Sequence, residues 1–228
     1  MTAGFTGQVV LGVDALDDAP ESWPVRGHHD LGRGAIADYV EDEVAAPDDE
    51  TLRRQYLVHP GAVAVIALDD EDRVALVRQY RHPVRHRLIE PPAGLLDVAD
   101  EAYLAAAQRE LAEEVGVAAT DWRVLVDLFT SPGILGETLR IYLARGLAPV
   151  DAPDGFVRRG EEAHMDTVWA PLDDLVGAVL GGRLHNPTLV SGTLAAWTAQ
   201  HRGGFDTLRP ADADWASREE LLAATGRG

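Results

Sequence analysis

Alternating apolar and polar residues predict a series of short strands in the first two-thirds of the chain. Residues 1–30 show only weak periodicity, whereas 34–44 and 51–59 alternate well enough to predict two strands. Residues 61–80 predict two more, because two apolar runs flank an acidic turn at 69–72. Further strands are expected at residues 87–90, 121–129, 139–144 and 165–171.

A longer apolar period predicts a central helix that ends at residue 116. Leu104, Ala107, Leu111 and Val115 recur three and four positions apart and form one apolar stripe. Gly116 follows the last of them, and glycine is the usual residue at which a helix stops.

Two more helices are expected towards the C-terminus. Pro171 opens the first, and Asn186 with Pro187 caps the second. The polar stretch 145–164 predicts an unusually long loop, and the tail from residue 209 is expected to be peripheral, with a short helix. Strands before and after a central helix, with helices at the end, predict an α/β fold with a mixed sheet covered on both faces.

Composition narrows the classes of protein that the chain can belong to. The 228 residues are 46% hydrophobic and carry a formal net charge of −18, which argues against a general nucleic-acid or anionic-membrane binder. All 20 basic residues are Arg, so Schiff-base chemistry and a P-loop lysine are excluded. The absence of cysteine fits a cytoplasmic protein and excludes disulfides, and no apolar run is long enough for a transmembrane helix.

Three carboxylates crowd the last turns of the central helix. Glu110, Glu113 and Glu114 are three and four positions apart and share one face, where like charges repel. They also lie at the negative end of the helix dipole, which favours Lys or Arg instead. One interpretation is a solvated acidic face; the other is a cation site, and clustered carboxylates suit Mg²⁺ or Mn²⁺ rather than zinc.

The residues around this cluster resemble the Nudix box of the Nudix hydrolases, G-x5-E-x7-R-E-U-x-E-E-x-G-U, where U is a bulky aliphatic residue. The matching positions are Glu101, Arg109, Glu110, Leu111, Glu113, Glu114, Gly116 and Val117. One departure precedes the helix, where six residues rather than five separate Gly94 from Glu101. A loop absorbs one extra residue at little cost. The resemblance covers residues 60–205 and implies an α/β/α sandwich.

A narrower resemblance points to the ADP-ribose pyrophosphatase (ADP-sugar diphosphatase) branch of that family. Residues 89–97 are close to the run containing E-L-P-A-G in those enzymes, with Pro91 in place of the usual Leu. Pro132 stands fifteen residues beyond Val117, at the position whose proline marks the ADP-sugar branch. The resemblance implies Mg²⁺-dependent hydrolysis of ADP-ribose, or of a related ADP-sugar, to AMP and ribose 5-phosphate.

The resemblance also implies roles for individual residues of the box. Glu110 and Glu114 would be direct metal ligands, Glu113 a further ligand, and the backbone carbonyl of Ala93 would complete the shell. Glu101 and Arg109 would pair with each other and hold the loop against the helix; a metal-linked role is the alternative for Glu101. Gly94 and Gly116 would complete the structural part of the box.

Candidate phosphate-binding residues form the densest basic patch in the chain, which comprises Arg78, Arg81, His82, Arg85, His86 and Arg87. The forked guanidinium binds phosphate oxygens in pairs. Arg81 is our choice for the pyrophosphate, by its match to the family's arginine in this strand. Arg53 and Arg54 are further candidates that would act across a dimer interface; simple solvation is the alternative for each of them.

The catalytic base is expected outside the box, because in ADP-ribose pyrophosphatases it is a glutamate on a later loop. Glu162 is the first choice and Glu161 the second, and His164 is a third candidate that is more simply a bystander. Glu137, after the Pro132 loop, is a candidate for contact with the sugar or a metal. A plain surface role is the alternative for Glu137.

These inferences divide the chain into an N-terminal β accessory segment at 1–58, a Nudix domain at 59–208 and a C-terminal tail at 209–228. By kinship, the accessory segment would be exchanged between the subunits of a homodimer. The expected partner is a nucleotide-sugar, with neither nucleic acid nor membrane. Two alternatives stay open: hydrolysis of another nucleoside diphosphate derivative, and a non-catalytic sensor of nucleotide-sugars.

Overall fold

A computed structural model describes residues 12–151 and 164–225 of the chain. Its strands are β1 (Val25–Arg33), β2 (Asp38–Ala45), β3 (Thr51–Val58), β4 (Ala62–Ala67), β5 (Arg73–Arg81), β6 (His86–Glu90), β7 (Ala93–Leu95), β8 (Val117–Phe129), β9 (Leu135–Gly136), β10 (Thr138–Pro149), β11 (Asp166–Pro171) and β12 (Arg209–Pro210). Its α-helices are α1 (Tyr103–Val115), α2 (Leu172–Leu180), α3 (Pro187–His201) and α4 (Ala216–Thr225).

The central sheet is mixed and has the strand order β12-β8-β10-β4-β7. β4 and β10 run parallel, with Leu139 opposite Ala62, while β8 and β10 pair antiparallel along most of their length. From Val63 onward, β4 is buried on both faces, which explains why it reads as an unbroken apolar run and not as an alternation.

Alternate residues of β4 enter two separate cores, one on each face of the sheet. Val63 and Val65 pack in the core that includes Ala107 and Leu111 of α1. Residues 64 and 66 face the other core, which includes Leu189 and other apolar residues of α2 and α3. Helices therefore cover both faces, and the predicted sandwich with a mixed sheet is confirmed. A second, antiparallel sheet with the order β11-β5-β6 lies alongside.

The N-terminal sheet is larger than the two strands predicted from the sequence. It has the order β1-β2-β3-β9, so β1 adds a third strand and β9 joins it to the rest of the chain. The sequence did not predict β1 because every residue in it except Gly27 is exposed, and an exposed strand needs no apolar alternation.

Two further predictions about the second half of the chain are wrong. Residues 145–149, which the sequence predicts to be part of a loop, form the end of β10, because this strand continues to Pro149. The tail is not peripheral: Trp215 is 2% exposed, and Arg140 donates hydrogen bonds to the carbonyls of Ala213 and Asp214. The predicted helices near residues 171 and 187 are confirmed. Within the described residues, none of the helices has the length and apolarity that a bilayer crossing requires.

Candidate active site

One cleft of about 600 Å³ is lined by seven of the residues that the sequence singled out, namely Arg81, Ala93, Gly94, Arg109, Glu110, Glu114 and Glu137. Its walls come from the N-terminal ends of β4 and β10, from β5 and β7, and from the N-terminus of α3. The lining residues with functional groups are His59, Gln79, Arg81, Asp97, Arg109, Glu110, Glu114, Thr130, Glu137 and Thr188.

Helix α1 carries the three clustered carboxylates, and two of them, Glu110 and Glu114, line this cleft. Glu114 is 8% exposed and accepts a hydrogen bond of 3.0 Å from the backbone N–H of Ala93 in β7. Glu113 is not among the lining residues, but its carboxylate lies 3.3 Å from Nη1 of Arg109, which does line the cleft. The helix ends at Gly116, where φ is +70°, as predicted from the sequence.

Arg109 ties these carboxylates to the loop that precedes the helix. Its Nε and Nη2 each donate a hydrogen bond of 2.9 Å to the carboxylate of Glu101, so the predicted pair is present. Nη1 lies 2.6 Å from Glu110 and 3.3 Å from Glu113. The hydrogen bonds from Arg109 hold the pKa of Glu101 below its ordinary value, and the same bonds raise the pKa of Arg109.

Gly94 forms the floor under Glu110 and needs to be a glycine. A Cβ at this position would lie 2.0 Å from Oε1 of Glu110 and 2.1 Å from its carboxyl carbon. The carboxylate can therefore approach the Ala93–Gly94 backbone only because the side chain is missing. This cradle and the all-oxygen donor set suit a hard divalent cation. In residues 12–151 and 164–225, however, no three His, Asp or Glu side chains are already arranged as a metal shell.

Arg81 lies on the adjacent wall of the cleft and is fixed by a carboxylate to which the sequence assigned no role. Its Nε and Nη2 contact Glu90 at distances between 2.7 and 3.2 Å. The Glu90 side chain is 4% exposed, whereas that of Arg81 is 44% exposed. The guanidinium is therefore the part of this pair that faces solvent and any ligand. The register of β5 and β6 places Glu90 opposite Val77 and Arg81 opposite His86, so the Arg81 side chain reaches diagonally across the strand pair to meet Glu90.

Glu137 is held between two side chains, neither of which the sequence analysis identified. The hydroxyl of Thr130 donates to its Oε2, and Nδ1 of His59 lies 3.2 Å from its Oε1. The same Nδ1 is 3.1 Å from the backbone N of Gly61. It can donate to Glu137 or accept from Gly61, but not both at once, so the tautomer decides which contact forms. A single His between two strands carries no sequence pattern that would have revealed it.

The remaining candidates lie away from the cleft or outside the described residues. Arg53 pairs with Glu41 and Glu43 on the N-terminal sheet, and Arg54 lies beside it on the same strand. Pro132 is exposed and lies two residues after the lining residue Thr130. Arg78, Arg87 and His164 line a separate surface pocket with Asp166. Glu161 and Glu162 lie outside the described residues.

The family is decided by comparison with known proteins. The family model described as the NUDIX domain matches residues 58–190. The chain belongs to the Nudix family. The predicted resemblance to its ADP-ribose pyrophosphatase branch is confirmed too. The chain is 42% identical over 194 residues to an ADP-ribose pyrophosphatase of Mycobacterium tuberculosis, covering 85% of this chain and 91% of that protein.

Two further proteins and one solved structure are also similar to the chain. An ADP-ribose pyrophosphatase of Bacillus subtilis is 35% identical over 118 residues, covering 52% of this chain and 63% of that protein. A methanol dehydrogenase activator of Bacillus methanolicus is 32% identical over 157 residues, covering 69% and 83%. A solved structure of an ADP compounds hydrolase superposes with a TM-score of 0.63 at 20% identity, covering 93% of this chain and all of that one, which supports the fold. Nudix hydrolases generally use divalent metal ions.

Proposed function

We propose that the chain hydrolyses the pyrophosphate bond of ADP-ribose, or of a closely related ADP-sugar, to AMP and ribose 5-phosphate with Mg²⁺ as cofactor. One observation carries the proposal: two carboxylates of the Nudix helix (Glu110 and Glu114), the Arg81 guanidinium and Glu137 all line one cleft. The identity to a protein named as an ADP-ribose pyrophosphatase supports the choice of substrate.

The acidic side of the cleft is the proposed cofactor site. Glu110, Glu113, Glu114 and the carbonyl of Ala93 would hold Mg²⁺, with Mn²⁺ as the alternative. When bound, such an ion offsets the charge of a diphosphate and makes a bound water more acidic. The chain's own contribution is to hold hard oxygen donors close together: Ala93 N–H fixes Glu114, and the missing side chain of Gly94 admits Glu110.

The other walls would bind the pyrophosphate and the sugar of the substrate. Arg81, held by the buried Glu90, would place its positive charge against the pyrophosphate. Glu137, held by Thr130 and His59, would accept hydrogen bonds from the hydroxyls of the sugar, with Pro132 shaping the loop beside it. Glu162, or Glu161 in its place, would take the proton from the attacking water.

We further propose a cytoplasmic homodimer in which residues 1–58 form an accessory β segment shared between subunits. Arg53 and Arg54 do not line the cleft of their own chain, so in this arrangement they would reach the substrate of the partner subunit. Light scattering coupled to size exclusion tests the assembly. A mass of one chain, 24.6 kDa, would contradict it.

A substrate panel tests the activity. The protein is incubated with Mg²⁺ and ADP-ribose, ADP-glucose, NADH or diadenosine polyphosphates, and the products are identified by chromatography. We expect AMP and ribose 5-phosphate from ADP-ribose at the highest kcat/KM. EDTA should abolish turnover and added Mg²⁺ should restore it. A higher kcat/KM for NADH or a dinucleotide would show that the enzyme prefers another nucleoside diphosphate derivative. Binding of ADP-ribose without turnover would favour a non-catalytic sensor.

A pair of variants tests the metal-binding side of the cleft. Glu114→Gln keeps the size of the side chain but removes its charge, and we expect it to lower kcat by about 1000-fold. Glu71→Gln, on the exposed β4–β5 turn, serves as the control and should leave kcat unchanged. Wild-type turnover in Glu114→Gln would refute the assignment of the metal ligands.

A further inference from the structure

Arg218, in the C-terminal helix α4, is a buried arginine with an unusual set of partners. It is 7% exposed, and its Nη1 donates a hydrogen bond of 2.8 Å to the hydroxyl of Thr138. Its guanidinium lies 5.4 Å from the ring centre of Tyr103 and 5.5 Å from that of Trp215. In the part of the chain that the structure describes, no carboxylate pairs with it and its Nε has no hydrogen-bond partner. A buried guanidinium without a carboxylate is costly, so its bond to Thr138 matters more than usual.

The guanidinium lies where the two central parallel strands begin. β10 starts at Thr138, and Ala62, the first residue of β4, is the neighbour of Leu139. Gly61 precedes Ala62 with φ of +89°, and a Cβ there would lie 2.2 Å from Nη1 of Arg218. Glycine is therefore required at position 61 both for the backbone conformation and for the space that the guanidinium fills. Arg218 contacts the start of both strands.

The residues that come just before these two strand starts form part of one wall of the cleft. Glu137 directly precedes Thr138, and His59 lies two residues before Gly61, whose backbone N is 3.1 Å from His59 Nδ1. His59 and Glu137 are themselves 3.2 Å apart, and both line the cleft. A shift of either strand start would therefore change the position of a cleft side chain.

We propose that Arg218 is a positioning residue for the His59–Glu137 wall of the cleft, acting through Thr138 and Gly61. The C-terminal helix thus contributes to recognition of the sugar end of the substrate without touching it. This inference rests on the proposed function for the substrates that report it.

The test compares two substrates in the same enzyme preparation. Arg218→Met removes the guanidinium but keeps apolar volume, and kcat/KM is measured with Mg²⁺ for ADP-ribose and for ADP-glucose. We expect kcat/KM for ADP-ribose to fall by about tenfold, the loss of one hydrogen bond to a charged group. The ratio of the two kcat/KM values should change in the same direction as in Glu137→Gln. This ratio does not depend on the folded fraction, so a merely structural role would leave it unchanged.

A double-mutant cycle links the effect to Glu137. If Arg218 acts through this carboxylate, Arg218→Met combined with Glu137→Gln should be no less active than Glu137→Gln alone. Independent effects that multiply, together with a wild-type substrate ratio in Arg218→Met, would overturn the proposal. Arg209→Met is the matched control, because Arg209 also anchors the C-terminal segment through an exposed contact with Asp127 but touches neither strand start. It should keep the wild-type ratio.

Two milder variants keep the test decisive if Arg218→Met does not fold. Thr138→Val removes only the acceptor and should shift the ratio as Arg218→Met does, while Arg218→Lys keeps a donor and should restore part of it. If the wild type cleaves no ADP-sugar, the proposed function fails. In that case the positioning role is tested by calorimetric Kd values for ADP-ribose. Arg218→Met and Glu137→Gln should each raise Kd, and their effects should not add in the double variant. Unchanged Kd in Arg218→Met would overturn it.

Discussion

The shape of the cleft depends most on single residues at positions where one additional atom would collide with a neighbour. At Gly94 the backbone lies directly under the carboxylate of Glu110, so the absent Cβ is as much part of the site as the glutamate itself. The pattern of the box identifies this glycine, but only the packing of β7 under α1 shows why it is needed.

Gly94→Ala should therefore damage the site without affecting the rest of the fold. The new Cβ would displace the Glu110 carboxylate, and we expect kcat/KM for the preferred substrate to fall by about 100-fold. Gly177→Ala in α2 is the control, because a Cβ there meets nothing within 4 Å. It should keep full activity and gain about 0.5 to 1 kcal/mol of stability from its helical position. Equal activities in the two variants would refute this account of Gly94.

The Glu101–Arg109 pair predicts a pH dependence of stability. Because Arg109 lowers the pKa of Glu101 in the folded state, the pair's contribution is complete above the ordinary carboxyl value of 4.5 and is lost as pH falls through the lower folded value. Glu101→Gln should lower the free energy of unfolding by about 1 to 2 kcal/mol at pH 7.

Urea denaturation at several pH values measures this effect. The gap between wild type and Glu101→Gln should narrow on acidification below pH 4.5. Glu220→Gln, at an exposed position of α4 beyond its first turn, is the control and should track the wild type at each pH. A gap that widens in acid would contradict the sign of the shift.

Among the helices and strands, prediction succeeded where a local signal dominates. The acidic turn marks the end of β4 and the start of β5, which belong to different sheets. The apolar stripe and Gly116 mark α1, and Asn186 followed by Pro187 marks α3. It failed for β1, whose exposed residues need no periodic pattern. It also failed for His59 and Glu90, because their importance arises from neighbours that are remote in sequence or lie across a hairpin.

The start of α3 offers a prediction at this scale. The Asn186 side chain accepts a hydrogen bond of 2.8 Å from Leu189 N–H, and Pro187 and Thr188 line the cleft. Asn186→Ala should cost about 1 kcal/mol of stability, measured by thermal unfolding. Asn186→Asp should stay within about 0.3 kcal/mol of wild type, because aspartate is an equally good N-cap. Equal losses in both variants would show that the cap does not act through this acceptor.

For the molecule as a whole, the C-terminal segment belongs to the core. Arg140 is buried, forms two hydrogen bonds with Asp127, and binds the carbonyls of residues 213 and 214. Trp215 stacks edge-on against Tyr103 of α1, with ring centres 5.1 Å apart. No periodic sequence signal marks one buried tryptophan in a polar tail, which is why the sequence predicted a peripheral one.

Two tryptophan variants test this role. Trp215→Ala removes a side chain that is 2% exposed and should lower the free energy of unfolding by about 3 to 5 kcal/mol. Trp23→Ala, where the tryptophan is 37% exposed, removes the same atoms and should cost about 0.5 kcal/mol. Denaturation monitored by far-UV circular dichroism compares them. Similar losses in the free energy of unfolding of both variants would show that the C-terminal segment is not part of the core.

The parallel pairing of β4 with β10 also governs how the chain acquires its structure. Antiparallel neighbours close through short turns, but this pair joins residues 62–67 to residues 139–144 across a long intervening loop. Closing such a long segment costs conformational entropy before the contacts between the two strands can stabilise it. Pairing between residues that are far apart in the sequence therefore slows folding. During synthesis the middle of the sheet therefore cannot form until β10 has left the ribosome, and helix α1 emerges before the completed sheet on which it packs.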